Sequence, residues 1–496
     1  MEEDESTRGT DPECEWERYY DYDAERMTSG DSPQPYTESA ARLRPSVAVV
    51  LALAAGLALR VWWILHFGQT TNDTRVYGEF ARNMLVHHVF GWTHIVKGVE
   101  LNAQPTMIRL PGYPLFLAAC FRLFGMENYS AAMFVQAAID LWTCLLMGGL
   151  AGRIFGRRAG LAALWMAAIC PFTANYVAAA LTETLTLFCI SLAFYGLARW
   201  RESPGVNRWV FAIGFALAYA ILLRPEQGML AACVVPAMVW IAGWRNALRP
   251  VALVCLLTVL PLVPWTARNW RVFHVFQPLA PRYANDPGDP NPYGFQRWYR
   301  TWGVEFTTTV TCYWNYDGSP ILIADLPDRA FDSTAQYAAT EALLADYDQN
   351  DSKSAALDAR FDAIAKERVE ADPLRYYFVL PVARVLNMMF RPRTEMLPLK
   401  LEWWKYRPKP WQIWIQTGFG LLNLVYFGLA AWTLARRVMW RRDEVLVWTM
   451  MATIVTRCLL LMTVDNSEPR YTLEFYPVLI LLGAAAVERL TCRAFP

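Results

Sequence analysis

The residues in this sequence best suited to chemistry are arginines and carboxylates that stand where long apolar runs end. After the first run comes Asn72-Asp73-Thr-Arg75, which leads into VYGEFARNML and brings Tyr77 with it. Arg109-Leu-Pro-Gly-Tyr113-Pro-Leu makes a stiff turn ahead of a short apolar stretch. Thr182-Glu183 opens one further run, Arg224-Pro-Glu226 closes the next, Pro264-Trp265-Thr-Ala-Arg268-Asn269 ends a later one, and Arg470-Tyr471 leads into another. Ionisable groups at membrane depth are costly and point to function. Guanidinium groups hold phosphate and neutralise charge that grows on it, and a carboxylate can take the proton of an attacking hydroxyl. The pattern therefore makes Asp73 and Glu183 candidate catalytic carboxylates. Arg75, Arg109, Arg224, Glu226, Arg268 and Arg470 are candidate substrate- or phosphate-binding groups, with Tyr77, Tyr113 and Tyr471 positioning what they hold. Two plainer explanations compete. Asp73 has the position of an N-cap, worth about 1 kcal/mol, and Arg109 could anchor to bilayer phosphates generally.

The elements that would position these residues follow from composition. The 496-residue chain is 55% hydrophobic and only 18% charged, below the roughly 25% of a soluble domain, which makes a polytopic membrane protein the expected class. Residues 1–45 carry 13 acidic and 5 basic residues, a net −8, which leaves +9 on the remainder. That segment has no hydrophobic period and reads as a disordered cytoplasmic tail. The first span, 47–67, is an uncleaved anchor containing Arg60. Further spans are expected near 131–151, 160–178, 182–200, 208–223, 229–244, 251–267, 411–434, 445–463 and 471–488. The short connections Arg153 to Arg158, Arg199 to Arg208, Arg245 to Arg249 and Arg436 to Arg442 are basic and belong in the cytoplasm. If 113–124 crossed the bilayer, every later basic connection would invert, so it reads as a re-entrant or interfacial helix on the outer side. The expected fold is all-α with ten spans, ten to twelve at most. Its domains are a transmembrane module over 46–267 with its first outer loop at 68–130, an extracytoplasmic loop and interfacial helices over 268–410, and C-terminal spans over 411–496.

Val76, Tyr77, Phe80, Ala81, Met84 and Leu85 form one apolar face of a helix lying on the membrane. In the long polar insertion, AFDSTAQYAATEALLADY and SAALDARFDAIAKERVEAD read as helices, the second ended by Asp372-Pro373. The ten cysteines include no CxxC pair, and most lie in apolar runs as small buried hydrophobes. No metal cluster is visible, although Asp73 and Glu183 together could hold one hard divalent cation.

The chemistry-bearing stretches resemble those of a known superfamily. Asp73-Thr-Arg75-Val-Tyr77-Gly-Glu79-Phe-Ala81-Arg82 is similar to the D-E-x-R-Y-x-E-x-A-R stretch of bacterial lipid A aminoarabinose transferases. RLPGYPLF resembles the R-x-P-G-Y-P-L of family 39-type enzymes, and ALTETLTLF the A-L-T-[DE]-x-x-L of the same set. LLRPEQGML, PWTARNWRVF and RYTLEFYPVLILL have counterparts there, in order, over about 47–490. The resemblance implies a C-type (GT-C) integral-membrane glycosyltransferase that takes a sugar from a polyprenyl (undecaprenyl or dolichyl) phosphate donor and inverts its anomeric centre. It implies Asp73 as the base, Glu183 as a second carboxylate and Arg109 in the place of a phosphate-contacting lysine. Thr74 stands where those enzymes often have Glu. The implied partners are the donor lipid, a protein, glycolipid or polysaccharide acceptor and the bilayer, with no nucleic acid. The expected location is a bacterial inner membrane with the site on the extracytoplasmic face. A lipid or sugar transporter or flippase, and a non-catalytic subunit of the same fold, are the alternatives. The first would show paired broken helices in two related halves, the second loss of the outer-loop Asp.

Overall fold

Apolar runs out of reach of water must satisfy their backbone internally, and most of this chain does so as helix. The structure, a computed structural model, describes residues 46–96, 99–316, 318–349, 354–402, 409–438 and 443–494. The acidic segment 1–45 and Arg441-Arg442 of one basic connection lie outside the described residues. Among the described residues, five helical stretches are long and apolar enough to cross a membrane. They are α1 (Val47–Phe67), α4 (Tyr129–Ile154), the run Pro225–Phe273, α14 (Pro410–Ala435) and α15 (Glu444–Met462). α5 (Arg157–Ala168) with the segment Pro171–Ala178, bent by 44°, brings the number to six if the pair is one span. The other expected spans overlap α6 (Glu183–Arg201), α7 (Arg208–Leu223) and α16 (Tyr476–Ala494), which are not among the stretches long and apolar enough to cross.

The run Pro225–Phe273 covers two expected spans, at 229–244 and 251–267. A straight helix over its 49 residues would be about 74 Å long, more than twice a hydrocarbon core of about 30 Å. It is not straight: inside α8 (Gly228–Val259), Gly243 takes φ 72° and ψ 151°. Nothing lies within 4 Å of where its Cβ would be, so left-handed backbone, rather than crowding, selects glycine there. The run then continues as α9 (Leu262–Phe273).

The all-α expectation fails in the loop that follows α1. α2 (Asn72–Val86) is followed by an antiparallel hairpin, β1 (Gly91–Val96) with β2 (Val99–Pro105). The hairpin is tied to α2, where Asn83 Nδ2 donates to Gly91 O at 2.8 Å and Thr93 N donates to Glu79 Oε1 at 2.5 Å. α3 (Gly112–Phe124) has only 13 residues, about 20 Å of helix, which is too short to cross. A Cβ on Gly112 would lie 2.5 Å from the Leu222 carbonyl at the end of α7, so glycine there allows α3 to seat directly on that span end.

Arg60, fully buried in α1, is compensated as its depth demands. It donates to Asp140 of α4 at 2.7 Å, to Cys144 Sγ at 3.3 Å, and to the Gly56 and Ala168 carbonyls. The Ala168 carbonyl is one that the break after α5 leaves without a helical partner, so the arginine fastens α1 and α4 to that break.

The polar insertion forms helices with their own core. Phe295 and Trp298 of α10 (Tyr293–Arg300) pack with Leu343 and Leu344 of α11 (Thr334–Gln349), and with Leu357 and Phe361 of α12 (Ala355–Ala371). α12 is capped at its end by Asp372, and α13 (Leu380–Phe390) follows.

Candidate active site

The N-cap explanation for Asp73 does not hold. Thr71 caps α2, its Oγ1 accepting from Thr74 N at 3.2 Å, and the Asp73 carboxylate turns to arginines instead. Asp73 Oδ2 meets Arg470 Nη2 at 2.8 Å, and Oδ1 meets Arg109 Nη2 at 3.5 Å. The proline turn before α3 thus brings Arg109 onto the first turn of α2, although the two residues are far apart in sequence.

From Arg470 an ionic network runs inward. Its Nε lies 2.5 Å from Glu468 and 3.8 Å from Glu183, the first residue of α6. A helix N-terminus favours a carboxylate. Glu183 also meets Arg224 at 3.2 Å, and Arg224 reaches Glu474 at 3.3 Å and Glu226 at 3.7 Å. Arg457 of α15 closes the set on Glu474 at 2.9 Å and Glu226 at 3.4 Å. The Tyr471 ring lies against both Arg224 and Arg470, at 5.6 and 5.7 Å to its centroid. Five carboxylates (Asp73, Glu183, Glu226, Glu468, Glu474) therefore surround four guanidinium groups (Arg109, Arg224, Arg457, Arg470). The network is partly open at the Asp73 end, where the side chains of Arg109 and Asp73 are 31% and 26% exposed, and at Glu226, which is 25% exposed, while Glu183 is 2% exposed.

The electrostatics follow from this. Burial alone would raise the Asp73 carboxyl, but Arg470 and then Arg109 hold it below the usual range. Burial would lower Arg470, yet Glu468, Asp73 and Glu183 keep it well above its ordinary value. Tyr77 sits edge-on to Tyr113 at 5.2 Å, and burial, helped by Asp73, pushes its hydroxyl up to about 12. Tyr113 is fully buried and donates to Gln136 Oε1 at 2.6 Å.

The structure thus brings together Asp73, Glu183, Arg109, Arg224, Glu226, Arg470 and Tyr471, with Tyr77 and Tyr113 beneath Asp73. It leaves two candidates apart. Arg75 is exposed on α2. Arg268 is fixed elsewhere, donating to the Thr106 and Phe90 carbonyls at 2.7 and 2.8 Å and lying over the Phe90 and Trp265 rings. It holds the two ends of the hairpin to α9. Arg457, Glu468 and Glu474 were not singled out from sequence. The available signal was an arginine inside an apolar run for Arg457, and closeness to Arg470 for the two glutamates. As arranged, Asp73 and Glu183 do not fit a divalent cation, because Arg470 already joins them. Among the described residues no group of three or more His, Cys, Asp or Glu could hold a metal ion.

Residues 104–267 match the family model for dolichyl-phosphate-mannose-protein mannosyltransferases. The match contains Arg109, Glu183, Arg224 and Glu226. Over that third of the chain it agrees with the enzyme class expected from the motifs, a membrane glycosyltransferase. No curated protein matches. Among solved structures, the chain is similar to ArnT from Cupriavidus metallidurans bound to undecaprenyl phosphate, with 15% identity, 90% of this chain and 79% of that one covered, and a TM-score of 0.39. It is also similar to the archaeal oligosaccharyltransferase AglB from Archaeoglobus fulgidus in complex with an inhibitory peptide and a dolichol-phosphate. That likeness has 11% identity and a TM-score of 0.49, covering 90% of this chain and half the length of the archaeal one.

Proposed function

We propose that the protein transfers a sugar from a polyprenyl-phosphate donor to an acceptor hydroxyl, with Asp73 as general base. The observation that carries this reading is the placement of Asp73 at a solvent-reached end of the arginine network, bonded to Arg470 and Arg109. The donor phosphate docks on those two arginines, with Arg224 behind them. The acceptor oxygen attacks the anomeric carbon from the face opposite the phosphate, the bond from that carbon to the phosphate oxygen breaks, and the configuration inverts. Asp73 takes the hydroxyl proton. The leaving phosphate keeps the electron pair of the broken bond, and its charge is stabilised by guanidinium groups already in place. In the free protein those guanidiniums depress Asp73 and make it a weak base. Phosphate that draws Arg470 to itself, while Arg109 stays on Asp73, relieves part of that depression, so the base is strengthened only when donor is bound.

The rest of the reading keeps ten spans, with the network on the extracytoplasmic side of a bacterial inner membrane. The insertion 268–410 covers the site and selects the acceptor, whether protein, glycolipid or polysaccharide. The test is to give purified protein a labelled sugar-lipid extract from native membranes and follow release of polyprenyl phosphate. Wild type should release it, and Asp73→Asn and Arg470→Gln should not. Equal release by wild type and Asp73→Asn would remove Asp73 from the base role.

A further inference from the structure

The charges of the network are closed before any donor arrives. Each of its four guanidinium groups is already paired with at least one carboxylate, and the carboxylates exceed them by one. Docking a phosphate adds another negative charge to a buried site and competes with Glu468, Glu183 and Asp73 for Arg470. The consequences differ among the five carboxylates. Asp73 keeps Arg109, Glu183 keeps Arg224, and Glu226 and Glu474 keep both Arg224 and Arg457. Glu468 has Arg470 as its sole cation among the described residues, at 2.5 Å. It is 6% exposed, and its Oε2 is buried without a hydrogen-bond partner.

Resting on the donor reading above, we infer that Glu468 takes up a proton when the donor phosphate docks on Arg470, so that donor binding is coupled to proton uptake. An ionised carboxylate stripped of its cation in a buried site neutralises rather than stays charged. The groups facing Glu468 agree. They are Arg470, Asp73, Tyr471 and Glu183, and the cation is the one that the phosphate removes. Burial already pushes the Glu468 carboxyl above its ordinary value while Arg470 is still in place. The proton comes from solvent and stays on the carboxylate until the phosphate leaves. Glu468 is a positioning residue here, acting through Arg470.

The test uses a polyprenyl phosphodiester, methyl undecaprenyl phosphate, which has no group of its own that titrates near neutral pH. Binding to the full-length protein in nanodiscs is measured by calorimetry in buffers of different ionisation enthalpy, which counts protons. Uptake of about one proton per ligand is expected between pH 6 and 7, with affinity falling about tenfold per pH unit as pH rises through that range. Glu468→Gln should bind with no proton uptake and no pH dependence. Binding by wild type without proton uptake overturns the inference and leaves the donor reading standing. An absence of binding at every pH overturns both. Should Glu468→Gln not fold, the wild-type proton count alone decides.

Discussion

Asp73→Asn should separate donor binding from turnover. Asparagine keeps the shape of the side chain and removes its charge. In wild type that charge sits 2.8 Å from Arg470 and 3.5 Å from Arg109, the two groups that the donor phosphate needs. A phosphate received by Arg470 and Arg109 would be about 6 Å from the Asp73 carboxylate. At an effective dielectric constant near 20 the repulsion is about 3 kcal/mol. A quarter of the Asp73 side chain is exposed, and screening reduces this to roughly 1–2 kcal/mol. The substitution should therefore tighten binding of methyl undecaprenyl phosphate about five- to thirtyfold. Loss of a general base should meanwhile lower turnover by about 10²–10⁴. Equilibrium binding and polyprenyl-phosphate release on the same preparation give both numbers. If affinity falls in parallel with turnover, Asp73 shapes the donor site and is not its base.

Three further outcomes follow. Arg60→Leu leaves Asp140 buried without its cation and should cost about 3–5 kcal/mol, while the double change Arg60→Leu with Asp140→Leu should recover most of it; thermal unfolding in detergent checks both. Arg268→Ala removes donors from the Phe90 and Thr106 carbonyls, so it should raise proteolysis of the hairpin yet change donor affinity less than Arg470→Gln does, as measured by limited proteolysis and phosphodiester binding. The folded Asp73 carboxyl lies below its ordinary value, so its stabilisation is complete above the unfolded value of about 3.9 and lost as pH falls through the lower folded one. The difference in Tm between wild type and Asp73→Asn should thus stay constant from about pH 8 to 5 and close only below about pH 4. Closure between pH 7 and 5 would contradict the ion pairs that hold Asp73.

What could be read from the sequence was depth in the membrane, and what could not was rotation and the company a residue keeps. Asp73, Glu183, Arg224 and Arg470 each stand at an end of an apolar run, and that property, with the parity of the basic connections, placed them at one level, where the network forms. Arg75 stands at the same level, but two residues on is about 200° round the helix, and it faces outward. Arg268 also ends a run. Its partners are carbonyls at the two ends of a hairpin whose short alternation, Trp92 to Val96 and Val99 to Ala103, was not recognised as strand. Glu468 and Glu474 carried no individual signal, since a glutamate in a polar connection is ordinarily solvated, and only the fold shows them turned inward on Arg470, Arg224 and Arg457. The count of spans was hard to read for a related reason. α6, α7 and α16 are apolar but either short or marked by charge, and the two spans expected at 229–244 and 251–267 lie in one long run bent at Gly243.

The pairing of Asp73 with Arg470 joins positions 397 residues apart, and this orders events during synthesis. Asp73, Glu183 and Glu226 are made before Arg457 and Arg470, so from residue 226 to residue 456 the site holds these three carboxylates and only Arg109 and Arg224 to meet them. Until then Asp73 has only Arg109, at 3.5 Å, and Glu226 only Arg224, at 3.7 Å, so the early helices lack the contacts that fix their final arrangement. The segment from Arg457 to Glu474 supplies two cations and two carboxylates together, and its arrival locks the bundle. Folding of the membrane module is therefore a late, single step, and a chain stopped before Arg457 should remain loosely packed and open to proteases however many of its helices have already been inserted.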